Sequence, residues 1–456
     1  MEPPESFLER PNRTVIALGL PILGSLLAEP LTGLVDTAFV ARLGAEPLAA
    51  LGVGTMVLSA IFWALSFLGV ATQTLVARLM ATSVRDHGGS GAASRMCLVA
   101  VLVALLAGTA IAAVGIPVAS QVSRAMGASA VVQDLSAEYL RWRLVGAPGM
   151  LVAFAALGAL RGAHDMVTPL RVAVGLNAVN LILDPILIFG WGAAPAMGVV
   201  GAALASTASQ WAGALWAVWA AFSRLGRPDG FDGKHAKSLL SAGTNLVARA
   251  VSLNLFLLLG TRKATLIGAG AGAVHQVVRS VWFFDALFLD SFAILAQSLV
   301  AHFLGRSELS NARRVARVTL RWSFCCGVAL AVIMLLATPA VRRIWIPAEA
   351  VGLFASPWMI AALCQPISGI TFGSDGVHFG SGDFRFLRNV VLTALAVGGA
   401  LVIWADPARP WALDAVWWAF AVWTSIRAAA GVLRIWPGSR TAPLGVIGEP
   451  RGVGRP

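Results

Sequence analysis

The chain has 456 residues, of which 58% are hydrophobic and 12% are charged, about half the charged share of an ordinary soluble domain. With a mean hydropathy of +0.79, this composition excludes a soluble globular protein and indicates a membrane protein. The formal net charge of +12 does not indicate a nucleic-acid-binding protein, because the basic residues lie in short loops between apolar runs.

Apolar runs, each long enough to cross about 30 Å of hydrocarbon as a helix, recur along nearly the whole chain. Reading them between polar breaks predicts an all-α membrane protein with twelve transmembrane helices. The segment 1–13 ahead of the first run is predicted to be a cytoplasmic tail, and no cleaved signal peptide is expected.

The first run, near residues 14–42, contains an isolated acid, Asp36. A charge at mid-membrane costs about 2.5–3.5 kcal/mol on insertion scales, so such a residue is a functional candidate that faces a cavity. Glu29 shares its helical stripe and is a candidate for the substrate cavity. Pro21 and Pro30 each remove a backbone hydrogen bond and permit this helix to bend.

The fifth run, "LNAVNLILDPILIFGWG", places Asn177, Asn180 and Asp184 on one helical face. Two amides and a carboxylate on one stripe suit a proton relay or a hard cation such as sodium. Pro185 follows directly and weakens the helix at this point. We therefore expect these residues to form a coupling site with Asp36.

A polar stretch near the middle of the chain separates two halves of six spans. The predicted N-lobe is 14–222, the cytoplasmic linker 223–236, the C-lobe 237–435 and the cytoplasmic C-terminal tail 436–456. "LGAEPLAALGV" from Leu43 resembles "IGAGAGAVHQV" from Ile267 at an offset of 224 residues. An even number of spans per half predicts two parallel six-helix lobes around a central cleft.

The second half lacks a counterpart of the first acid, because Asp36 maps to Gly260. Arg279 and Asp285 are expected to form a structural pair with each other or with Arg249. The remaining polar candidates for lining the substrate cavity are Gln73, Gln297, Asp290 and Asp375. The coupling site is therefore predicted to be confined to the first half.

The distribution of Lys and Arg among the loops predicts how the chain is oriented in the membrane. With both termini in the cytoplasm, the cytoplasmic segments hold more than twice as many Lys and Arg residues as the opposite side. The four cysteines lack metal-type spacing, so neither a disulfide nor a metal cluster is expected. No GxxxxGK[ST] phosphate loop occurs, so the energy for any transport should come from an ion gradient rather than ATP.

These features together resemble the multidrug and toxic compound extrusion (MATE) transporters, in particular the DinF-like branch. The resemblance covers about residues 13–435. It is carried by "PLTGLVDTAFVARLGAEPLAALGVG" from Pro30, "ALRGAHDMVTPL" from Ala159, "NLILDPILIFGWG" from Asn180, "GVVGAALAS" from Gly198 and "DGVHFGSGDFRFLRN" from Asp375.

The resemblance implies a secondary active antiporter that exports organic cations or amphipathic compounds by alternating access, in exchange for protons or sodium. It implies no enzyme activity and no cofactor, and it implies a monomer in the bacterial cytoplasmic (inner) membrane. The family's coupling residues match Asp36, Asn180, Asp184 and a hydroxyl at Ser206, which could also bind sodium. The bending proline of its first helix matches Pro21.

Two other functions compete with multidrug efflux. A lipid-linked oligosaccharide or lipid flippase of the same superfamily would have two lobes but usually a cationic cavity, whereas helices one and five carry acids here. A channel or a membrane-embedded enzyme finds little support, because no nucleophile, base or metal constellation is visible.

Overall fold

A computed structural model describes residues 3–85, 91–126, 130–192, 195–435 and 442–445. Every regular element within these ranges is a helix, and no β-strand occurs in them. The predicted all-α class is confirmed. The chain divides into two compact units, Met1–Ala250 and Val251–Pro456.

Among the described residues, the first unit contains nine complete helices. They are α1 Pro3–Glu9, α2 Pro11–Ala41, α3 Ala45–Leu65, α4 Phe67–Arg85, α5 Gly91–Ala125, α6 Ala130–Val145, α7 Ala147–Gly162, α8 Val167–Phe189 and α9 Val199–Leu225. The short α1 lies within the predicted tail 1–13, and Phe7 on it is fully buried.

Helix α10, Gly233–Ile267, contains the unit boundary, and the second unit continues with seven more elements. They are α11 Ala269–Gly305, α12 Leu309–Trp345, a 3₁₀ helix Ala348–Leu353, α13 Ala355–Leu363, α14 Gln365–Ser381, α15 Phe384–Trp404 and α16 Ala412–Ile435. The lobe boundaries predicted at 222 and 237 stay predictions.

Nine helical stretches in the described part of the chain are long and apolar enough to cross a membrane, with α3 and α4 forming one of them. Helices α6 and α7, bent by 44°, make a tenth if they count as one span. The remaining bilayer-length segments are α9 and the pair α13–α14, which are richer in polar residues. With these two segments counted, the described part of the chain has twelve, the number that the sequence predicts.

The two broken segments have a common cause. Pro148 lies in the first turn of α7 and Pro366 in the first turn of α14. Proline is tolerated there because its missing N–H would have no partner within the helix. Each proline thus starts a new helix at the break, which lets the segment change direction inside the membrane.

Close helix packing recurs at equivalent places in the two units. Gly158 of α7 lies against the backbone of Gly69 on α4, and Gly376 of α14 lies against the backbone of Ala293 on α11. A side chain at either glycine would collide with main-chain atoms. Positions 69 and 293 are separated by the 224-residue offset, so the packing supports the predicted repeat.

The helix starts repeat as well. Gly44 and Gly268, again separated by 224 residues, precede α3 and α11 with φ angles of 117° and 149°. Backbone of this kind favours glycine, because a Cβ atom would be strained there. The same turn therefore introduces the second span of each unit.

Candidate functional site

A polar cluster lies where α2, α8 and α9 of the first unit meet. Asp36 comes from α2, Asn180 and Asp184 come from α8, and Ser206 comes from α9. Asp184 is fully buried, Asn180 and Ser206 are nearly so, and Asp36 is half-buried. The structure thus brings together four residues that are far apart in the sequence.

Hydrogen bonds connect the cluster. The Ser206 hydroxyl donates to Asp36 Oδ2 over 3.4 Å. The Asn180 amide Nδ2 lies 3.5 Å from both Asp184 Oδ1 and Ser206 Oγ. These distances are at the long end of the hydrogen-bond range, so the contacts are weak enough to exchange with another ligand.

Three oxygen atoms of the cluster are buried without a hydrogen-bond partner in the described part of the chain: Asp36 Oδ1, Asn180 Oδ1 and Asp184 Oδ2. Unpaired buried polar atoms are costly, and those in native structures call for an explanation such as an ion or a proton. The two carboxyl groups also interact electrostatically with each other. Because ionised carboxylates only accept hydrogen bonds, neither group can satisfy the other's unpaired oxygen while both are charged.

Glycine sets the distance between α8 and α9. Gly201 of α9 lies directly against the backbone of Leu187 on α8, and Gly175 of α8 faces the ring of Trp216 on α9. The absence of a side chain at both positions lets the helices approach closely. This approach brings Ser206 within reach of Asn180.

The other candidates of the first unit lie around this cluster or away from it. Asn177 is half-buried on α8 and takes no part in the hydrogen-bonded chain. Gln73 is buried on α4, and its backbone carbonyl contacts Gly162 of α7. Pro21 and Pro30 lie inside α2 on the N-terminal side of Asp36. Glu29 is also on α2, but its side chain lies outside the described part.

The candidates of the second unit come from helices α11 and α14. Arg427 donates to Asp375 Oδ2 over 2.8 Å in a buried ion pair, and its guanidinium lies 4.6 Å from the ring centre of Trp423. Gln297 is buried on α11, where its backbone contacts Gly380 of α14. Asp290 is half-buried on the same helix. Asp375 is thus neutralised by Arg427 within the second unit.

The expected pair of Arg279 and Asp285 is wrong. Arg279 donates instead to Gln276 Oε1, one turn away on α11, over 2.8 Å, and its guanidinium lies 5.6 Å from the ring centre of Phe283. Asp285 is buried, and its Oδ2 atom has no hydrogen-bond partner in the described part of the chain. The guanidinium of Arg279 therefore contacts neighbours on its own helix, the amide of Gln276 and the ring of Phe283, rather than Asp285.

Comparison with known proteins decides the family. A family model described as MatE matches the chain twice, over residues 21–186 and 246–404. The two matches together cover more than half of the chain, one in each half of the sequence. The chain belongs to the MatE family. The resemblance inferred from sequence motifs is confirmed.

Two relatives illustrate the similarity. Protein DETOXIFICATION 44, chloroplastic, from Arabidopsis thaliana is 30% identical over 96% of this chain and 85% of its own length. DNA damage-inducible protein F from Escherichia coli is 27% identical over 92% of this chain and 91% of its own length.

Solved structures show the fold of the MatE chain. The crystal structure of MATE in the bent conformation superposes with a TM-score of 0.84 at 20% identity, covering 95% of this chain and 96% of that chain. MatE proteins are transporters rather than enzymes, so this chain is a multi-pass membrane transporter.

Three residues near the MatE chain's cluster escaped sequence reasoning. Arg143 of α6 donates to Gln210 Oε1 of α9 over 2.9 Å and interacts electrostatically with both Asp36 and Asp184. Tyr139, one turn earlier on α6, is buried and interacts electrostatically with Arg143. The sequence feature that could have indicated them is the i, i+4 spacing of Tyr139 and Arg143, an aromatic hydroxyl and a cation inside a predicted span.

The cluster has the ligand chemistry of a proton or sodium site. Its free atoms are all oxygens, which hard cations prefer. In the described part of the chain, no group of three or more His, Cys, Asp or Glu side chains could hold a metal ion. Any cation bound at the cluster would therefore depend on two carboxylates, an amide and a hydroxyl.

Proposed function

We propose that this MatE transporter exports organic cations or other amphipathic compounds across the bacterial cytoplasmic membrane in exchange for protons. Both termini are proposed to lie in the cytoplasm, and the chain is proposed to act as a monomer without a cofactor. The observation that carries the coupling proposal is the buried cluster of Asp36, Asn180, Asp184 and Ser206 with its three unpaired oxygens.

The charges of the cluster suit a one-for-one exchange. Two carboxylates beside the permanent cation of Arg143 carry a net charge of minus one. One proton on either carboxyl group makes the site neutral. Because a like-charged carboxylate pair favours taking up a cation, a proton and a monovalent organic cation can each balance the same charge, which makes their binding mutually exclusive.

Helix α2 would supply the conformational change in this proposal. Asp36 is tied to α9 through Ser206, and Asp184 and Asn180 continue the contact to α8. Protonation removes the charge that holds these polar contacts, which frees α2 to bend at Pro21 or Pro30. Substrate affinity then falls, and the compound leaves on the outer side.

Opposite preferences for the two conformations make this cycle an exchange. A ligand shifts a two-state equilibrium only by its differential affinity for the two states. Protons must therefore favour the form with a bent α2, and substrate must favour the form in which the cluster is charged. Sodium is the alternative coupling ion, since the cluster offers only oxygen ligands.

Vesicle transport separates the two coupling ions. Efflux of a fluorescent organic cation is measured in proteoliposomes with a pH gradient or a sodium gradient imposed separately. We expect the pH gradient alone to drive efflux and the sodium gradient alone to be without effect. Drive by sodium alone would reject proton coupling and retain the site, whereas no drive by either gradient would reject the antiport proposal.

A further inference from the structure

One end of the second unit is strongly basic. This basic end consists of the α11–α12 turn, the first turns of α12, the α14–α15 turn and the last turn of α16. Its arginines are Arg306, Arg313, Arg314, Arg317, Arg321, Arg385, Arg388 and Arg434. The acids of the described residues there are Glu308 and Asp383, so positive charge is in large excess.

Helix directions show that these segments share one end. Gly327 of α12 packs on the backbone of Gln365 at the start of α14, and Gly373 in the middle of α14 packs on Leu320. The two helices therefore run in opposite directions, and the N-terminal end of α12 lies beside the C-terminal end of α14. The ion pair of Arg434 with Asp383, at 2.7 Å, adds the end of α16.

Both acids are already neutralised. Arg306 Nε lies 2.7 Å from Glu308 Oε1, and Asp383 is taken by Arg434. Arg317, Arg321 and Arg385 are exposed, and none of them has an acidic partner among the residues that the structure describes. The surplus charge is therefore available to a ligand from outside the chain.

The length of α12 places this charge at the level of lipid headgroups. Residues 322–341 contain no charged side chain. The 21-residue rise from Arg321 to Arg342 is about 31 Å at 1.5 Å per residue, close to the roughly 30 Å thickness of the hydrocarbon core. Arg321 therefore lies at the edge of the core, and Arg317 lies one turn further out.

We propose that the basic end binds the headgroups of anionic phospholipids. Arg317 and Arg321 are on one face of a continuous helix at i, i+4 spacing, so their guanidinium groups can contact neighbouring phosphates. Basic residues near an anionic membrane surface contribute about 1 kcal/mol each, or roughly a fivefold change in affinity per arginine. This binding does not depend on the proposed proton exchange.

Native mass spectrometry of the full-length protein tests the proposal. Detergent-solubilised protein is titrated with phosphatidylglycerol or phosphatidylcholine, and bound lipids are counted. We expect phosphatidylglycerol to bind more tightly, and we expect the double variant Arg317→Gln with Arg321→Gln to weaken it by about 25-fold, from roughly fivefold per arginine. Added salt should also weaken this binding, because exposed charges are screened.

Matched variants make the result specific. Arg342→Gln with Arg343→Gln removes two exposed arginines from the other end of the same helix and should leave phosphatidylglycerol binding unchanged. Replacing Arg317 and Arg321 by lysine should retain most of the affinity. Thermal unfolding of each variant shows that the protein remains folded.

Three results would overturn the proposal. One is equal loss of phosphatidylglycerol in both glutamine pairs. Another is equal binding of phosphatidylglycerol and phosphatidylcholine. The third is displacement of phosphatidylglycerol by inorganic phosphate at equal concentration, which would show an unspecific anion site rather than a lipid site.

Discussion

The two units use one helical plan, but they differ at equivalent positions. Asp36 of α2 corresponds to Gly260 of α10 at the 224-residue offset. A side chain at Gly260 would press on the ring of Phe420 and approach His275. A carboxylate in the first unit thus faces polar groups. At the equivalent position of the second unit there is no side chain, and an aromatic ring occupies the space.

The same difference appears on α8 and α15. A turn in which Asp165 N–H donates to Leu160 C=O precedes α8, and one in which Asp383 N–H donates to His378 C=O precedes α15, an offset of 218 residues. That offset pairs Asn180 with Gly398. A Cβ atom at Gly398 would lie 2.9 Å from the Phe256 ring and 3.0 Å from Trp423 Cβ.

Aromatic packing therefore replaces the polar cluster in the second unit. The rings of Phe256 and Trp423 stack at 4.5 Å between centroids, and Phe256 lies 4.8 Å from Phe420. Such pairs stabilise beyond the area they bury, and these rings offer no carboxylate that could exchange a proton. The comparison teaches that the duplicated fold keeps close helix packing in both halves, whereas the carboxylates at the Asp36 and Asp184 positions belong to the first half.

The largest expected effect comes from removing the acid of the first unit. Asp36→Asn should abolish gradient-driven efflux in proteoliposomes, because the amide cannot release a proton. Asp285→Asn is the matched control, since it removes a buried acid from a membrane helix of the second unit. Normal efflux by the Asp36 variant, or an equal loss of efflux in both variants, would contradict a special role for the acid of the first unit.

An acid introduced at the equivalent position of the second unit should destabilise the protein. Gly260→Asp would bury a carboxylate against the ring of Phe420, and burial of a charge in apolar surroundings destabilises strongly. We expect a lower midpoint of thermal unfolding than in Gly260→Ala, which adds only a side-chain methyl group. Equal midpoints for the two variants would mean that the aromatic surroundings tolerate charge, contrary to the contrast between the units.

Arg143 should tune the pH response of the first unit. Arg143→Gln removes a positive charge near two carboxylates, which favours their protonation, so the pH of half-maximal efflux should move upward. Arg141→Gln alters an exposed arginine on the same helix that donates to Ser120 and should leave the profile in place. A downward shift for the Arg143 variant would contradict its place in the charge balance.

Ser206 should have the smallest effect. Ser206→Ala removes one weak hydrogen bond to Asp36, worth about 1 kcal/mol, so substrate affinity should change by roughly fivefold while efflux persists. Ser209→Ala, which removes a bond within α9, should leave affinity unchanged. Complete loss of efflux in Ser206→Ala would show that the hydroxyl does more than join Asp36 to α8.

Sequence reasoning could find the cluster because its members stand out locally. Asp36 is an isolated charge in an apolar run, and Asn180 and Asp184 share one helical face. Ser206 entered through the family resemblance alone. All four residues were named from the sequence, but the interatomic distances that join them come only from the fold.

The residues that were missed depend on distant partners. Arg143 lies in "YLRWR" near other polar residues, so nothing local separates it from an interfacial cation. Asp375 looked like a cavity acid, and its partner Arg427 is 52 residues away on another helix. The sequence predicts where a charge sits on its own helix, but which helix supplies the neutralising group is decided by tertiary packing.

Proton release on substrate binding tests the central claim most directly. Purified protein in weakly buffered detergent solution is titrated with an organic cation while the pH is recorded. The account predicts that wild-type protein and Asp285→Asn each release about one proton per bound cation, since both ligands balance one charge, and that Asp36→Asn releases none. Undiminished proton release by Asp36→Asn would contradict the account.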